Sequence, residues 1–444
     1  MNANDRSITG FVMVAHGLVH TYELSVPILM TVWLLEFSVT AAVLGAVVTV
    51  GYGLFGVGAL PGGLLVDRYG SRRLIVGCLF GMGVAFLSLS LVPHVATIAL
   101  ALGIWGAAAS VYHPAGLALI SNGIDPDTRG TVFAYHGMAG NAGIAFGPLA
   151  TALLLLVADW RIVVVVLGGL SVVAGIVGLS IDFDETAGLT GSMGTDPGAD
   201  GGNDAIDSDD VASASTGVDD EKAEIRSLGD LIDGTRRVFT LGFSLVFLVV
   251  MFNGLFYRGM LTFLPELLND FLVAIVGDVR PGVFDPDGAL AEEFDLSRYV
   301  YVGLLTVGIV GQYVGGRLTD RIEPERGLVV MLLVLSAITL AFVPASRAGL
   351  VPLLAIGAAL GFALFAMQPL TQATIAAYSP PESRGLSFGF TYLGIFGIGA
   401  LGATVVGVVL TYAASEFTVF LVLAGFTLTA CTLATVLVSR DLRP

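Results

Sequence analysis

The chain has 444 residues, 55% of them hydrophobic and 13% charged, with a formal net charge of −16. A soluble core cannot hide that much apolar surface, and no basic patch of the kind that binds nucleic acid is present. Apolar runs of roughly 20 or more residues recur, and as helices they match a ~30 Å hydrocarbon layer. The expected fold class is therefore an all-α membrane protein that crosses the bilayer many times. Cys78 and Cys431 both lie in apolar runs and read as small core residues, not as a disulfide or a metal site.

The runs predict twelve spans, at residues 9–35, 39–66, 74–93, 95–122, 131–157, 161–181, 238–265, 298–319, 327–345, 349–378, 385–411 and 416–438. The N-terminus, MNANDRS, has no basic stretch, and the first run is too long for a signal peptide. It is expected to remain as the first span. That span contains HGLVHTYELSVP, in which His16, His20, Glu23 and Pro27 share one helix face. Ionisable side chains are expensive at membrane depth and are functional by default.

Between spans two and three the sequence reads GLLVDRYGSRR, from Gly63 to Arg73. Asp67 falls at a helix end, where a carboxylate can accept from the exposed N–H groups of a neighbouring helix. Arg68, Arg72 and Arg129 can pair with acids across an interface. Span four carries Tyr112 and His113. Span five carries Gly143 and Gly147, a surface of small residues that lets another helix approach closely, followed by Pro148, which frees one helix hydrogen bond and permits bending. His136, alone near one end of span five, is expected to be structurally satisfied.

Residues 182–233 contain fifteen acids against Lys222 and Arg226, which places −13 of the net charge in one segment. The stretch 182–235 is rich in Gly, Ser, Ala and Asp and is expected to be a disordered acidic linker between six-span units at 1–181 and 236–444. Lys222 is the only lysine among 20 basic residues. An acidic, lysine-poor chain fits a high-salt (halophilic) cytoplasm. After span seven, FLVAIV predicts a short helix lying at the interface, and FDPDGALAEEFD an acidic external loop. With the N-terminus inside, fifteen basic residues fall on the inner side and four on the outer. The excess of positive charge places both termini in the cytoplasm of a multi-pass cell-membrane protein.

The two halves repeat. Gly63–Arg68 matches Gly316–Arg321 at an offset of 253, and DTRG at 127–130 matches ESRG at 382–385 at an offset of 255. The second offset also carries Pro114 onto Pro369. HGL at 16–18 matches NGL at 253–255 at an offset of 237. Four matches in one order indicate an internal duplication.

The Gly63–Arg73 stretch resembles the signature loop of the major facilitator superfamily, with Ser71 where a basic residue is usual, and Gly316–Arg321 keeps its Asp–Arg pair. VYHPAG at 111–116 and GNAGIAFGPL at 140–149 are similar to segments of the fosmidomycin-resistance-type exporters of that superfamily. The latter stretch also resembles the span-five antiporter motif, without its trailing glycine pair. The resemblance implies twelve transmembrane helices in two pseudo-symmetric six-helix bundles around a central cavity that opens alternately to either side. It also implies a latch, with Asp67, Arg68, Arg72 and Arg129 in the first half and Asp320, Arg321 and Arg384 in the second. Gly143, Gly147 and Pro148 are expected to take part in gating, against the alternative of plain helix packing.

Spans one, four, seven and ten line the cavity in the resembled fold, and the polar residues at membrane depth collect on those spans. The expected solute site is His16, His20, Tyr112, His113, Asn253, Tyr257, Arg258, Gln368 and Gln372. Glu23 and Arg258 are the acid and the base placed well inside the membrane. Burial favours a neutral carboxyl, whereas a neighbouring guanidinium favours the carboxylate. A Glu23 balanced between them, with His20 beside it, is expected to couple protons. His16-x-x-x-His20-x-x-Glu23, joined by His113, is also a plausible metal-ligand spacing. The mixture of amides, phenol and Arg258 sets that below an organic solute. The expectation is a transporter in the lipid bilayer, a monomer without cofactor or enzymatic activity. It would move a small-molecule substrate by proton-coupled export, with import of an anionic metabolite as the alternative and a metal-ion transporter behind both.

Overall fold

A computed structural model of the chain describes residues 1–190, 234–277, 294–379, 384–413, 415–440 and 442. Among them are twelve helices long and apolar enough to cross a membrane. They are α1 (Ala3–Glu36), α2 (Ala41–Tyr69), α3 (Ser71–Leu89), α4 (Val95–Gly123), α5 (Pro126–Leu155) and α6 (Trp160–Ser180). The second half contributes α7 (Leu241–Val276), α8 (Leu296–Thr319), α9 (Pro324–Arg347), α10 (Leu350–Tyr378), α11 (Leu386–Tyr412) and α12 (Glu416–Arg440). Short connections make neighbours antiparallel, so α1 begins and α12 ends on one side of the bundle, called here the terminus side.

The helix starts follow local chemistry. Asn2 and Asp5 form a reciprocal capping box at the head of α1, and Thr40 and Thr240 cap α2 and α7. Gly70 (φ +79) ends α2, in a conformation that other residues rarely adopt. The N-terminus of α3 is capped from a distance. Glu185 accepts from the backbone N–H groups of Ser71 at 2.8 Å and Arg72 at 3.2 Å.

The packing shows the duplication directly. In the first half α1 packs on α5, α2 on α4, and α3 on α4 and α6; in the second, α7 packs on α11, α8 on α10, and α9 on α10 and α12. The halves meet where α2 lies on α11, α5 on α8 and α1 on α7. This is the expected pair of pseudo-symmetric six-helix bundles. Glycines set the closest approaches. A side-chain carbon on Gly147 would sit 2.6 Å from the Thr21 Cα, and one on Gly143 would collide with the Gly17 carbonyl, so α1 and α5 touch backbone to backbone.

Two elements depart from expectation. The short interfacial helix after span seven does not form separately. Instead α7 runs on through Pro265 to Val276, because Leu267, Leu268, Phe271 and Leu272 keep the helical apolar spacing and are buried. A proline inside a membrane helix is tolerated where neighbours cover the freed carbonyl. Also, α11 is not uniform: Leu393–Ile398 winds as a π-helical turn between two α segments. Of the acidic linker, residues 191–233 lie outside the described residues, as do 278–293 of the loop after α7. Residues 182–190 are folded against the first half, where Asn4 bonds the Asp184 carbonyl at 3.1 Å.

Candidate functional site

The histidines of α1 begin a chain of hydrogen bonds. The His16 Nδ1–H donates to the His136 carbonyl on α5 at 2.7 Å. A carbonyl can only accept, so this bond fixes the proton of a neutral His16 on Nδ1 and leaves Nε2 bare. That bare nitrogen lies 3.1 Å from His20 Nε2, which must therefore donate. The remaining nitrogen of His20, Nδ1, faces Glu23 Oε2 at 2.7 Å. A neutral His20 has no second hydrogen to give. The chain is satisfied only if one further proton resides on it, as an imidazolium at His16 or His20 beside the carboxylate, or as a carboxylic acid at Glu23.

The other oxygen of Glu23 faces the second half. Arg258 Nη2 on α7 donates to Oε1 at 2.5 Å, and the two side chains are 3% and 2% exposed. Tyr52 on α2 completes the nest: its ring lies 3.8 Å from the guanidinium carbon, and its O–H donates to the Glu23 backbone carbonyl at 3.1 Å. Thus Glu23 ties the histidine chain on one oxygen to the opposite half on the other.

Above this pair lies a cavity of about 310 Å³. It is lined by His16, His20, Glu23, His113, His136 and Asn141 from the first half, and by Asn253, Tyr257, Gln312, Gln368, Gln372, Tyr392 and Phe396 from the second. His16 stacks on His136 with ring centroids 3.8 Å apart and 11° between planes. Gly140 makes room for it, since a side-chain carbon there would lie 2.5 Å from His16 Cε1. His113 stacks on Tyr392 (5.5 Å, 17°), and Tyr392 stacks on Phe396 (5.6 Å, 15°). A ladder of rings so crosses from α4 to α11.

The cavity reaches toward the terminus side, along the last turns of α10 and the first of α11. The opposite half is closed. There Thr49 bonds the Ala400 carbonyl at 3.0 Å and Thr404 at 2.8 Å, the Ala42 N–H donates to Thr411 at 2.8 Å, and Arg298 reaches Thr31 at 3.3 Å.

Of the expected solute site, His16, His20, His113, Asn253, Tyr257, Gln368 and Gln372 line the cavity. Tyr112 and Arg258 do not. Tyr112 is fully buried, with its hydroxyl bonded to the Val12 carbonyl at 2.6 Å. Arg258 sits behind the wall, paired with Glu23. Sequence reasoning passed over Tyr52, Tyr392 and Phe396, because an aromatic in a membrane helix carries no mark of a site. It set aside His136 because a solitary histidine gives no pattern until its ring meets another.

The latch residues lie apart from the cavity. Asp67, Arg68, Asp320 and Arg321 are exposed at the terminus side, with Arg68 over the Tyr69 ring at 5.5 Å. Arg72 bonds the carbonyls that end α6, at Leu179 (3.1 Å) and Ile181, and approaches Asp182 at 4.0 Å. Arg129 donates to the Ile124 carbonyl at 3.2 Å. Both arginines therefore bond within their own half. Arg384 begins the helical segment Arg384–Tyr392 that leads into α11, and its side chain is outside the described residues. Gly143, Gly147 and Pro148 are buried in the α1–α5 contact. Outside the spans, the Thr186 N–H and O–H hold the exposed Asp184 carboxyl below its usual range.

Donor atoms of His16, His20 and His113 lie within 4.8 Å of one another.

Two stretches, residues 8–278 and 246–444, match the family model described as Major Facilitator Superfamily. The puromycin resistance protein pur8 of Streptomyces alboniger is 37% identical over 108 residues, 24% of this chain and 22% of that protein. A Na(+), Li(+), K(+)/H(+) antiporter of Planococcus maritimus is 34% identical over 109 residues, 23% of this chain and 25% of that protein. The matched stretches thus span about a quarter of each relative. Over its full length the fold is similar to a crystal structure of a bacterial homologue of the human lysosomal transporter Spinster, inward-facing and unoccupied. The TM-score is 0.72 at 14% identity, covering 98% of this chain and 97% of that one. Twelve apolar helices in two repeated bundles, with family matches in both halves, make this chain a member of the Major Facilitator Superfamily.

Proposed function

We propose that the protein is a proton-coupled exporter of small organic molecules, working as a monomer in the cell membrane with both termini cytoplasmic. The observation that carries this is the hydrogen-bonded chain His16–His20–Glu23–Arg258, anchored on the His136 backbone carbonyl. It runs from the cavity wall to a buried ion pair joining the two halves, and it calls for one extra proton shared among His16, His20 and Glu23. With the terminus side cytoplasmic, the conformation described is open inward.

The cycle follows from Glu23. As a carboxylate it holds Arg258 and keeps α1 against α7. A proton placed on it removes the charge that Arg258 answers, and the halves are free to part. A proton crossing the membrane gains ~2.3 kcal/mol per 100 mV, enough to bias the two conformations by more than tenfold. The exposed Asp67–Arg68 and Asp320–Arg321 pairs stand where closing the terminus side would bring them into contact, which fits a latch made in the other conformation. The resemblance to fosmidomycin-resistance-type exporters, and relatives named for puromycin resistance and for cation–proton antiport, favour export. Import of an anionic metabolite is the weaker alternative, because the arginine that would recognise the anion is already paired.

The test is flux in proteoliposomes containing a panel of solutes, with a pH gradient imposed in either direction. Solute should move uphill against inflowing protons, and reversing the gradient should reverse the flux. Accumulation that is indifferent to the gradient would sink proton coupling.

A further inference from the structure

We propose that the cavity takes an uncharged planar molecule bearing amide-type N–H groups, set against the aromatic ladder and hydrogen-bonded by the amides of α7 and α8. This rests on the cavity being the solute site, and it goes further by naming the chemical class.

Unpartnered atoms carry the first part. Asn253 Oδ1 and Gln312 Oε1 are screened from water and have no hydrogen-bond partner. The same holds for Nε2 of His113 and of His136. All four residues line the cavity. Buried polar atoms are nearly always paired, and each exception calls for an explanation. A rotation of the two carboxamides toward the cavity would offer their acceptors to a ligand with N–H donors. A carboxamide presents N–H and C=O side by side, so Asn253 and Gln312 can meet a ligand amide with both of their own groups.

Charge carries the second part. Among the described residues no Lys or Arg lines the cavity, and its single carboxylate is Glu23. Both oxygens of Glu23 are occupied, one by Arg258 and one by His20. An anion would lose its hydration and meet no free cation. A cation would have to compete with a guanidinium already at 2.5 Å. A neutral ligand bears neither cost. Shape carries the third part: the near-parallel rings of His113, Tyr392 and Phe396 offer a face for stacking. The volume of about 310 Å³ suits a ligand of two fused rings, at the small end of binding pockets.

Three isosteres separate the possibilities: 2-naphthamide, 2-naphthoate and 2-naphthamidine, equal in shape and differing in charge. Each is titrated calorimetrically into the purified full-length protein at neutral pH. The neutral amide should bind at least about tenfold more tightly than either charged isostere. Asn253→Leu should weaken the amide by about tenfold and leave the carboxylate unchanged. The proposal is overturned if the carboxylate or the amidine binds as well as the amide, if none of the three binds saturably, or if Asn253→Leu is without effect. Comparing the three probes on the unaltered protein needs no variant to fold. The readout is binding, so a failure here leaves proton-coupled flux to stand or fall by its own assay.

Discussion

Glu23→Gln removes a charge and changes almost nothing in shape. It leaves Arg258 cationic, 3% exposed and without its counter-ion. Stripping one partner from a buried pair costs about 3–5 kcal/mol, which is roughly 100- to 4,000-fold in an equilibrium. The cost falls only on conformations that keep Arg258 buried. A conformation in which α1 and α7 part and water reaches the guanidinium escapes it, so the population should move that way. Spin labels at Leu91 and Val351, which are 82% and 76% exposed at the closed end of the first and second halves, would report the movement. Wild type should give one short distance, and the variant should add a longer population. The Glu23→Gln, Arg258→Met double variant has no stranded charge and should return toward the short distance. Uphill flux should be lost in Glu23→Gln while solute exchange without a gradient persists. An unchanged distance distribution, or intact uphill flux, would refute the role of the pair.

Asp67→Asn should raise the population of the conformation described here, because Asp67 is exposed in it and loses nothing, while any contact made on closure is weakened. Distances between labels at the terminus-side ends of α2 and α8 would show the shift, and no change would leave the latch without support. Gly143→Val should push α1 from α5, since its side chain would meet the Gly17 carbonyl. The expected result is a protein that no longer elutes as one species after mild heating, and full heat resistance would contradict the close contact. Glu185→Ala removes the acceptor for two N–H groups at the start of α3 and should lower stability by about 0.5–2 kcal/mol. A melting temperature equal to wild type would show that water replaces the cap without cost.

The sequence disclosed the spans well because bilayer thickness dictates helix length, and the duplicated Asp–Arg loops located the halves. It was misleading after residue 265, where span seven was expected to end and a separate short helix to follow. The residues beyond Pro265 keep a helical apolar face, and packing outweighs the one hydrogen bond a proline removes. For the site, α1, α4, α7 and α10 were legible because a polar group at membrane depth has no bland explanation. Arg258 was legible as the partner of Glu23 but not as a residue sealed behind the wall, since burial depends on Tyr52 from another helix. Tyr392 and Phe396 look like ordinary lipid-facing aromatics until α11 turns them toward His113. The proton count of the His16–His20–Glu23 chain was out of reach of any pattern, because it follows from which atom His16 gives to a carbonyl of α5.

The π-helical turn at Leu393–Ile398 means that α11 stores one residue more than an α-helix would hold in the same length. Releasing that residue would rotate one part of the helix against the other by roughly 100°, the angle per residue in an α-helix. Tyr392 stands just before the turn and Phe396 within it, so such a rotation would unstack Tyr392 from either His113 or Phe396. The ladder would then act as a ratchet tooth. A flat solute pressed against the rings would hold the turn in its loose winding, and its departure would let α11 tighten by one notch.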